Sequence, residues 1–341
     1  MKTGSQFRGM NHVGSGSRGV VMSLLGLGLL INSAAAEDWP HFRGPNCAGI
    51  SSSGKALPVQ FSSEKNVRWS AKVGDGVGCP VVAAGRVFVC EMGDDQTVAL
   101  TGYDLKTGKQ LWKRHWKTGD IAIVHKTNSH ASTTPAADAE RVYFYFSSLG
   151  MIAVDARNGK DVWQLKLPEP YFVFKWGPAM SPVLYKDKLL FCQDDDLYPA
   201  FYALDKRTGK VVWKDDRSDM AVNYSHPVIC PTPAGDEIVV AGTGLLIGYD
   251  PENGKRLWHA RVLLRNIKTT PVVQDGVIYI SLQSGGIANQ WLASVDRAET
   301  GNSDGKLTRD EMQAFVGDRK IPEQFFKKTF GRGDLNKDGQ L

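Results

Sequence analysis

One nine-residue phrase, Asp-x-x-x-Gly-Lys-x-x-Trp, recurs four times in this chain and limits its fold more than any other feature. It reads Asp104/Gly108/Trp112, Asp155/Gly159/Trp163, Asp205/Gly209/Trp213 and Asp250/Gly254/Trp258. Trp69, in NVRWSAKV, stands as a fifth copy without its Asp and Gly, and successive tryptophans are 43, 51, 50 and 45 residues apart. A second marker shares that period. Pro80, Pro135, Pro182, Pro227 and Pro271 each open a short β-rich run, as in PVVQDGVIYI, where Asp275-Gly276 is a strong hairpin dipeptide. Asp and Gly at this spacing fit a turn whose Gly takes positive φ while Asp accepts backbone N–H groups. The strand that follows delivers Trp, a large rigid surface for packing between sheets. A unit of about 45 residues holds roughly four strands of 5–6 residues with their turns. Such a sheet cannot bury both faces alone, so the units must stack radially. The fold class expected is all-β, a β-propeller of four-stranded blades, with about five blades present and the ring incomplete.

The phrase ALDKRTGKVVW (residues 203–213) resembles the pyrroloquinoline-quinone-like repeat. DWPHFRGPNCAGIS (residues 38–51) and NSHASTTPAADAERVYFYF (residues 128–146) are similar to exported propeller proteins abundant in planctomycetes. The resemblance covers about residues 38–290 and implies the fold. For activity it points two ways, since the family holds both quinoprotein dehydrogenases and a non-enzymatic scaffold of outer-membrane protein assembly. For the dehydrogenases it implies a central Ca²⁺, an Asp base, an aromatic floor for the quinone and often a vicinal disulfide. This sequence has no Cys-Cys pair, and no residues can be assigned to those roles. Pyrroloquinoline quinone is therefore not an expected cofactor, and no catalytic residue is named.

Charge and leader bear on where the protein works. The formal charge is +5, but residues 1–36 contribute Lys2, Arg8 and Arg18 with no acid, leaving a body of +2. That balance carries no footprint for nucleic acid. Residues 20–31 form an apolar run of 12, too short to span a bilayer, with Ala34-Ala35-Ala36 as a cleavage site. Residues 1–36 are thus expected to be a signal peptide, with Met10 or Met22 as alternative starts. The mature protein is expected to be periplasmic or secreted, with no integral membrane span. Its five cysteines (Cys47, Cys79, Cys90, Cys192 and Cys230) leave at least one thiol outside any intramolecular disulfide. Cys79 and Cys90 flank a hairpin and could face each other, although unpaired, half-buried thiols are the preferred reading.

After residue 282 the composition changes. Ile287, Trp291, Leu292 and Val295 recur at helical spacing. TGNSDGKLTRDE (residues 300–311) then follows the EF-hand loop template, with Gly305 at position 6. Thr300, Asn302, Asp304, the Lys306 carbonyl, Thr308 and Glu311 fall at positions 1, 3, 5, 7, 9 and 12. Thr308-x-x-Glu311 also reads as a capping box before an apolar helix face of Met312, Phe315 and Val316. Thr300 replaces the usual Asp and weakens the site, unless Asp296 or Glu299 substitutes through a distorted loop. DLNKDGQL (residues 334–341) repeats the template with Asp334, Asn336, Asp338 and the Gln340 carbonyl at positions 1, 3, 5 and 7. Pro322 can open its entering helix, packed through Phe325, Phe326 and Phe330. The sequence stops at position 8 of this loop, which reads as a fragment or a truncated frame.

The domain organisation expected is 1–36 signal peptide, 37–286 propeller blades and 287–341 EF-hand pair with its second hand incomplete. The function expected is a non-catalytic binding scaffold with Ca²⁺ as its ligand and a protein or polysaccharide partner on the propeller face. The alternative is a quinone-dependent dehydrogenase. His130 and His226, each near a Pro-marked strand, are candidates for that face. Asp194-Asp195-Asp196 reads as a solvated acidic turn, and Gly242-x-Gly244-x-x-x-Gly248 as strand and turn.

Overall fold

Each Asp-x-x-x-Gly-Lys-x-x-Trp phrase forms the hairpin between the third and fourth strands of one antiparallel sheet. The computed structural model describes residues 37–54, 56–93, 96–220, 222–261, 268–281, 295–297, 299, 301–316, 322–334 and 337–340. The expected signal peptide and Ile287, Trp291 and Leu292 lie outside these residues.

The first blade is β1 (Val81–Ala83), β2 (Arg86–Met92), β3 (Thr97–Asp104) and β4 (Gln110–Lys117). The second is β5 (Ala136–Ala137), β6 (Arg141–Phe146), β7 (Gly150–Asp155) and β8 (Asp161–Leu165). The third is β9 (Val183–Tyr185), β10 (Lys188–Gln193), β11 (Ala200–Asp205) and β12 (Val211–Asp216). The fourth is β13 (Val228–Thr232), β14 (Gly235–Gly242), β15 (Leu245–Tyr249) and β16 (Arg256–Arg261). A fifth sheet has two described strands, β17 (Val272–Gln274) and β18 (Val277–Tyr279). First strands lie beside first strands, β1 by β5, β5 by β9 and β13 by β17, so the blades are arrayed radially.

The repeat residues join one blade to the next. In the first turn, Asp104 Oδ1 accepts the N–H groups of Lys106 and Thr107, at 3.1 and 2.8 Å, while Gly108 takes φ +72°. A register shift precedes the Asp in all four blades and sets each Trp opposite a small residue: Gly102, Ala153, Ala203 or Gly248. From there the indole N–H reaches the next blade. Trp69 donates to the Leu105 carbonyl, Trp112 to Ala156, Trp163 to Lys206 and Trp213 to Pro251, all at 2.9–3.1 Å. In each case the acceptor directly follows the repeat Asp. The indole face covers the repeat Gly there, where an added Cβ would lie 2.5–2.6 Å from the ring. Trp258 differs, for it donates to Glu237 of its own blade at 2.6 Å. Among the described residues no repeat turn follows it.

A strap from the N-terminal side crosses the inner strands. Trp39 forms an antiparallel bridge with Val82, and the Pro40 carbonyl accepts the Ala137 N–H at 2.7 Å. His41 Nδ1 accepts the Leu184 N–H at 3.4 Å, and the Asn46 amide both donates to and accepts from the Ile229 backbone, at 2.9 and 2.7 Å. Residues 39–46 thus touch β1, β5, β9 and β13 in order. They satisfy inner-edge backbone groups that would otherwise be buried unpaired, a costly state.

All five cysteines are free, and four of them are buried. Burial pushes the Cys47 and Cys90 thiols up to about 12. Gly242 ends β14 and Leu245 begins β15, so that glycine series is strand and turn. Among the described residues, no helix is long and apolar enough to cross a membrane.

Candidate functional site

The residue before each marker proline carries the geometry of the axial face. Cys79, Thr134, Ser181, His226 and Thr270 each directly precede an inner strand's proline. A proline biases the residue before it toward extended backbone, and in four of these five that residue's N–H donates to a side chain of the next blade. The Cys79 N–H donates to Thr134 Oγ1 at 2.9 Å, and the Thr134 N–H to Ser181 Oγ at 3.0 Å. The Ser181 N–H donates to His226 Nε2 at 3.2 Å, and the His226 N–H to Thr270 Oγ1 at 3.4 Å. Five blades are linked by one directional chain of hydrogen bonds. With Nε2 accepting, the His226 ring proton sits on Nδ1 and points to Thr270 Oγ1, 3.2 Å away. Burial, with lesser contributions from His41 and Arg43, pushes His226 down to about 3. His226, read from sequence as a face residue, is both a link in this chain and part of a cleft lining; His130 is half-exposed and lines a second cleft.

Two clefts open beside this chain and share Gly177. One, of about 510 Å³, is lined by Phe42, Asn128, Trp176, Tyr224, His226 and Lys268. The other, of about 640 Å³, is lined by Ile123, Val124, His130, Phe172 and Lys175 among others. Gly177 takes φ +80°, and a Cβ there would lie 2.6 Å from Val124 Cγ1, so only glycine fits this shared wall. Phe172 and Tyr224 stack between the clefts with ring centroids 6.0 Å apart, and the buried Tyr224 hydroxyl has no hydrogen-bond partner. Trp176 is 42% and Ile123 73% exposed, large apolar surfaces at the rim. Such a surface is suited to an apolar or aromatic segment of a partner.

The acidic triplet is buried, contrary to the solvated turn expected of it. Asp194 accepts two hydrogen bonds from the Arg217 guanidinium at 2.8 Å and another from the Asn223 amide, so its charge is paired. Asp195 accepts the N–H groups of Leu197 and Tyr198 at 2.6 and 2.7 Å, yet burial pushes its carboxyl up to about 6. Asp196 Oδ2 accepts the Val173 N–H at 3.0 Å. Three adjacent aspartates thus fix two loops, one of them a cleft wall.

A helical pair packs on those loops. Helix α1 (Arg309–Val316) and helix α2 (Glu323–Gly333) bring Met312, Phe325 and Phe326 against Val173 and Leu197, with Val295 and Leu307 in the same cluster. Phe315 departs from its expected core position and is 41% exposed. The Lys328 ammonium donates to the Leu197 carbonyl and lies 5.8 Å from the Tyr198 ring.

The two oxygen-rich loops share one hydrogen-bond pattern. Asp334 Oδ1 and Oδ2 accept the N–H groups of Asp338 and Gly339, at 3.0 and 2.8 Å. In the first loop Asp296 does the same for Asp304 and Gly305, at 2.9 and 3.0 Å. Asp296 thus accepts from this loop the pair of N–H groups that Asp334 accepts from the second. Thr300 and Asn336 lie outside the described residues. Glu311 Oε2 accepts the Thr308 N–H at 2.8 Å, as the capping box requires, and Oε1 accepts the Asn302 N–H at 3.1 Å. These bonds hold the Glu311 carboxyl below the usual carboxylate range. Thr308 and Gln340 form an antiparallel bridge that ties the loops together. Asp296, Asn302, Asp304, Glu311 and the Lys306 carbonyl form an all-oxygen donor set, the kind calcium takes. Their carboxylates bond to loop N–H groups, and among the described residues no three His, Cys, Asp or Glu side chains converge at metal-binding distance.

A family model described as outer membrane protein assembly factor BamB (PQQ_2) matches residues 50–171 and 176–325. The chain belongs to this family. Its match to the BamB of Yersinia pestis is 25% identical over 246 residues, covering 67% of this chain and 58% of that protein. A 1-butanol dehydrogenase (quinone) of Thauera butanivorans is 30% identical over 131 residues, 34% of this chain and 20% of the enzyme. The solved BamB of Moraxella catarrhalis aligns with a TM-score of 0.42 at 21% identity, covering 61% of this chain and 56% of that one. The chain spans less than two thirds of each relative's length. The BamB family match runs beyond the blades and takes in the first oxygen-rich loop.

Proposed function

We propose that this chain is an exported, non-catalytic propeller scaffold that holds a protein partner at its axial face. The observation that carries the reading is the pair of adjoining clefts with Trp176 and Ile123 at their rim. Relatives named as outer membrane protein assembly factors support both the exported location and a protein partner. A partner of that kind is an unfolded outer-membrane β-barrel chain, whose alternating apolar residues fit an apolar cleft. The test is fluorescence anisotropy of a labelled, urea-diluted barrel protein titrated with this protein. Saturable binding that Ile123→Asp and Trp176→Ala weaken about tenfold or more agrees with hot-spot behaviour. Binding indifferent to both substitutions would remove the axial face from the proposal.

The same scaffold is proposed to bind Ca²⁺ through Asp296, Asn302, Asp304, the Lys306 carbonyl and Glu311, with Asp334, Asn336, Asp338 and the Gln340 carbonyl in the partner loop. Isothermal titration with CaCl₂ tests this, and Glu311→Gln should abolish the heat of the first loop. The second reading, a quinone-dependent dehydrogenase, rests on the match to the Thauera butanivorans enzyme. Stoichiometric binding of pyrroloquinoline quinone would favour it over the scaffold.

A further inference from the structure

We infer that the smaller cleft receives the C-terminal carboxylate of the bound partner chain, with Lys268 as its counter-ion and the last side chain, an apolar one, against the aromatic lining. The inference rests on the axial-face reading above and adds which end of the partner is selected. The clefts adjoin at Gly177, so a segment lying in the larger one can end in the smaller.

The polar side chains of the smaller cleft offer donors. Their acceptor atoms are spent within the wall: Thr134 Oγ1 on the Cys79 N–H, Ser181 Oγ on the Thr134 N–H and His226 Nε2 on the Ser181 N–H, at 2.9, 3.0 and 3.2 Å. Asn128 Oδ1 accepts the Ser129 N–H at 2.9 Å, while its amide N–H holds the Trp176 carbonyl at 2.6 Å. A hydroxyl that accepts still has its own proton to give. Thr134 and Ser181 line the cleft at 2% exposure each, and neither donates to a protein group among the described residues. The buried hydroxyl of Tyr224, another lining residue, adds a third unspent proton. Buried donors left unused cost free energy, which an acceptor-bearing ligand recovers.

Charge decides between a neutral acceptor and an anion. Lys268 is exposed at the rim, 5.9 Å from the Trp176 ring centroid, and pairs with no carboxylate among the described residues. No Asp or Glu lines this cleft, whereas Glu169 lines the larger one along with Lys175. An unneutralised cation beside an array of donors favours a carboxylate, because hydrogen bonds to an ionised acceptor are roughly twice as strong as neutral ones. The remaining lining is apolar: Phe42, Val77, Trp176 and Ala179. A terminal carboxylate sits on the same Cα as its residue's side chain, so one residue presents an anion and an apolar group together. An Asp or Glu inside a chain presents the anion in place of the apolar group, and a peptide carbonyl has no charge to offer Lys268. Carboxyl-terminus capture by convergent donors is an established mode of peptide recognition.

Fluorescence anisotropy of the full chain with two labelled hexapeptides of alternating Thr and Leu tests the inference. One peptide ends in a free leucine carboxylate and the other in the leucine amide. The acid should bind about tenfold more tightly than the amide, the scale of one charge-assisted hydrogen bond. Lys268→Met and Tyr224→Phe should each weaken the acid and leave the amide unchanged, and Lys268→Met should also flatten the loss of acid binding as salt rises. Equal affinity for acid and amide would overturn the inference; if Trp176→Ala then weakens both, the axial-face reading stands without it. Binding of the barrel protein but of neither peptide would overturn it in the same way. Displacement of the acid by N-acetyl-leucine at the concentration that unlabelled peptide needs would give the cleft to free small carboxylates and not to a chain end. If neither the peptides nor the barrel protein bind, the axial-face reading fails and this inference with it.

Discussion

The backbone N–H of Ser181 donates to Nε2 of His226, and that bond requires a neutral imidazole. Both residues precede the proline of an inner strand, in neighbouring blades, so the bond joins two sheets near the axis. His226 is held at about 3 by burial, well below the usual 6.5 of histidine. A base whose pKa is lower in the folded state stabilises the fold above its unfolded pKa. That stability is lost as pH falls through the window down to the folded value. For His226 the window is 6.5 to about 3. Asp195, pushed up to about 6, acts in the opposite sense and gains stability as pH falls from there toward 3.8. His226→Gln keeps an acceptor for Ser181 and removes the titration. Urea unfolding at pH 7, 6, 5 and 4 should show the variant's stability falling less steeply, by about one proton or ~1.4 kcal/mol per pH unit. Equal slopes would mean that His226 titrates normally.

Glycine at the repeat turn answers two demands at once. Gly159 has φ +70°, and a Cβ there would lie 2.6 Å from the Trp112 ring of the preceding blade. Gly119 has φ +64° with nothing within 4 Å of such a Cβ. Gly119→Ala should cost only the left-handed backbone term of about 1–2 kcal/mol. Gly159→Ala should cost that plus an overpacking term of about 1–3 kcal/mol. Denaturant midpoints of the two variants measure the difference, and similar midpoints would mean that Trp112 can move aside without cost.

The indole N–H of Trp163 isolates the polar half of the same junction. It donates to the Lys206 carbonyl at 3.1 Å, while the ring packs on Tyr143 at 5.9 Å. Trp163→Phe keeps an aromatic ring and deletes the donor. The expected loss is about 1 kcal/mol for the hydrogen bond, with further loss for the smaller ring. Thermal unfolding checks it, and an unchanged midpoint would show that the junction is held by packing alone.

The blades were legible because a turn is a local device. Asp104 to Trp112 encode their hairpin within nine residues, and the repetition of the phrase exposed the radial stacking. The pre-proline chain was less legible, since Thr134, Ser181 and His226 are ordinary residues whose partners lie 44–55 positions away. The position before each marker proline was the available signal. The strap was hidden for the same reason. Nothing local in Trp39, His41 or Asn46 says that each will meet a different blade. The acidic triplet misled because the cation that neutralises Asp194 is Arg217, distant in sequence and in the next inter-blade loop. In the first oxygen-rich loop the template counted contiguous residues, whereas the N–H groups of Asp304 and Gly305 bond to Asp296, 8 and 9 positions back.

Asp194 and Arg217 give the sharpest test of what holds the loops under the helical pair. Both side chains are fully buried, and the guanidinium also donates to the Tyr249 hydroxyl at 2.6 Å. Arg217→Met removes the cation and leaves a buried carboxylate beside the Asn223 amide and the Cys192 thiol, with no cation to neutralise it. Breaking a buried pair from one side costs about 3–5 kcal/mol, because the remaining charge is uncompensated. Replacing both members with apolar residues of similar volume removes that charge as well. The double variant Asp194→Leu/Arg217→Met should therefore be more stable than Arg217→Met alone, by about 1–3 kcal/mol. Tyr249 loses its donor in both variants, so that term cancels in the comparison. Chemical denaturation of the two single variants and the double variant forms the cycle. A double variant no more stable than Arg217→Met would show that the pair's value lies in its hydrogen-bond geometry, with Asn223 and Tyr249 as essential members, and not in mutual neutralisation.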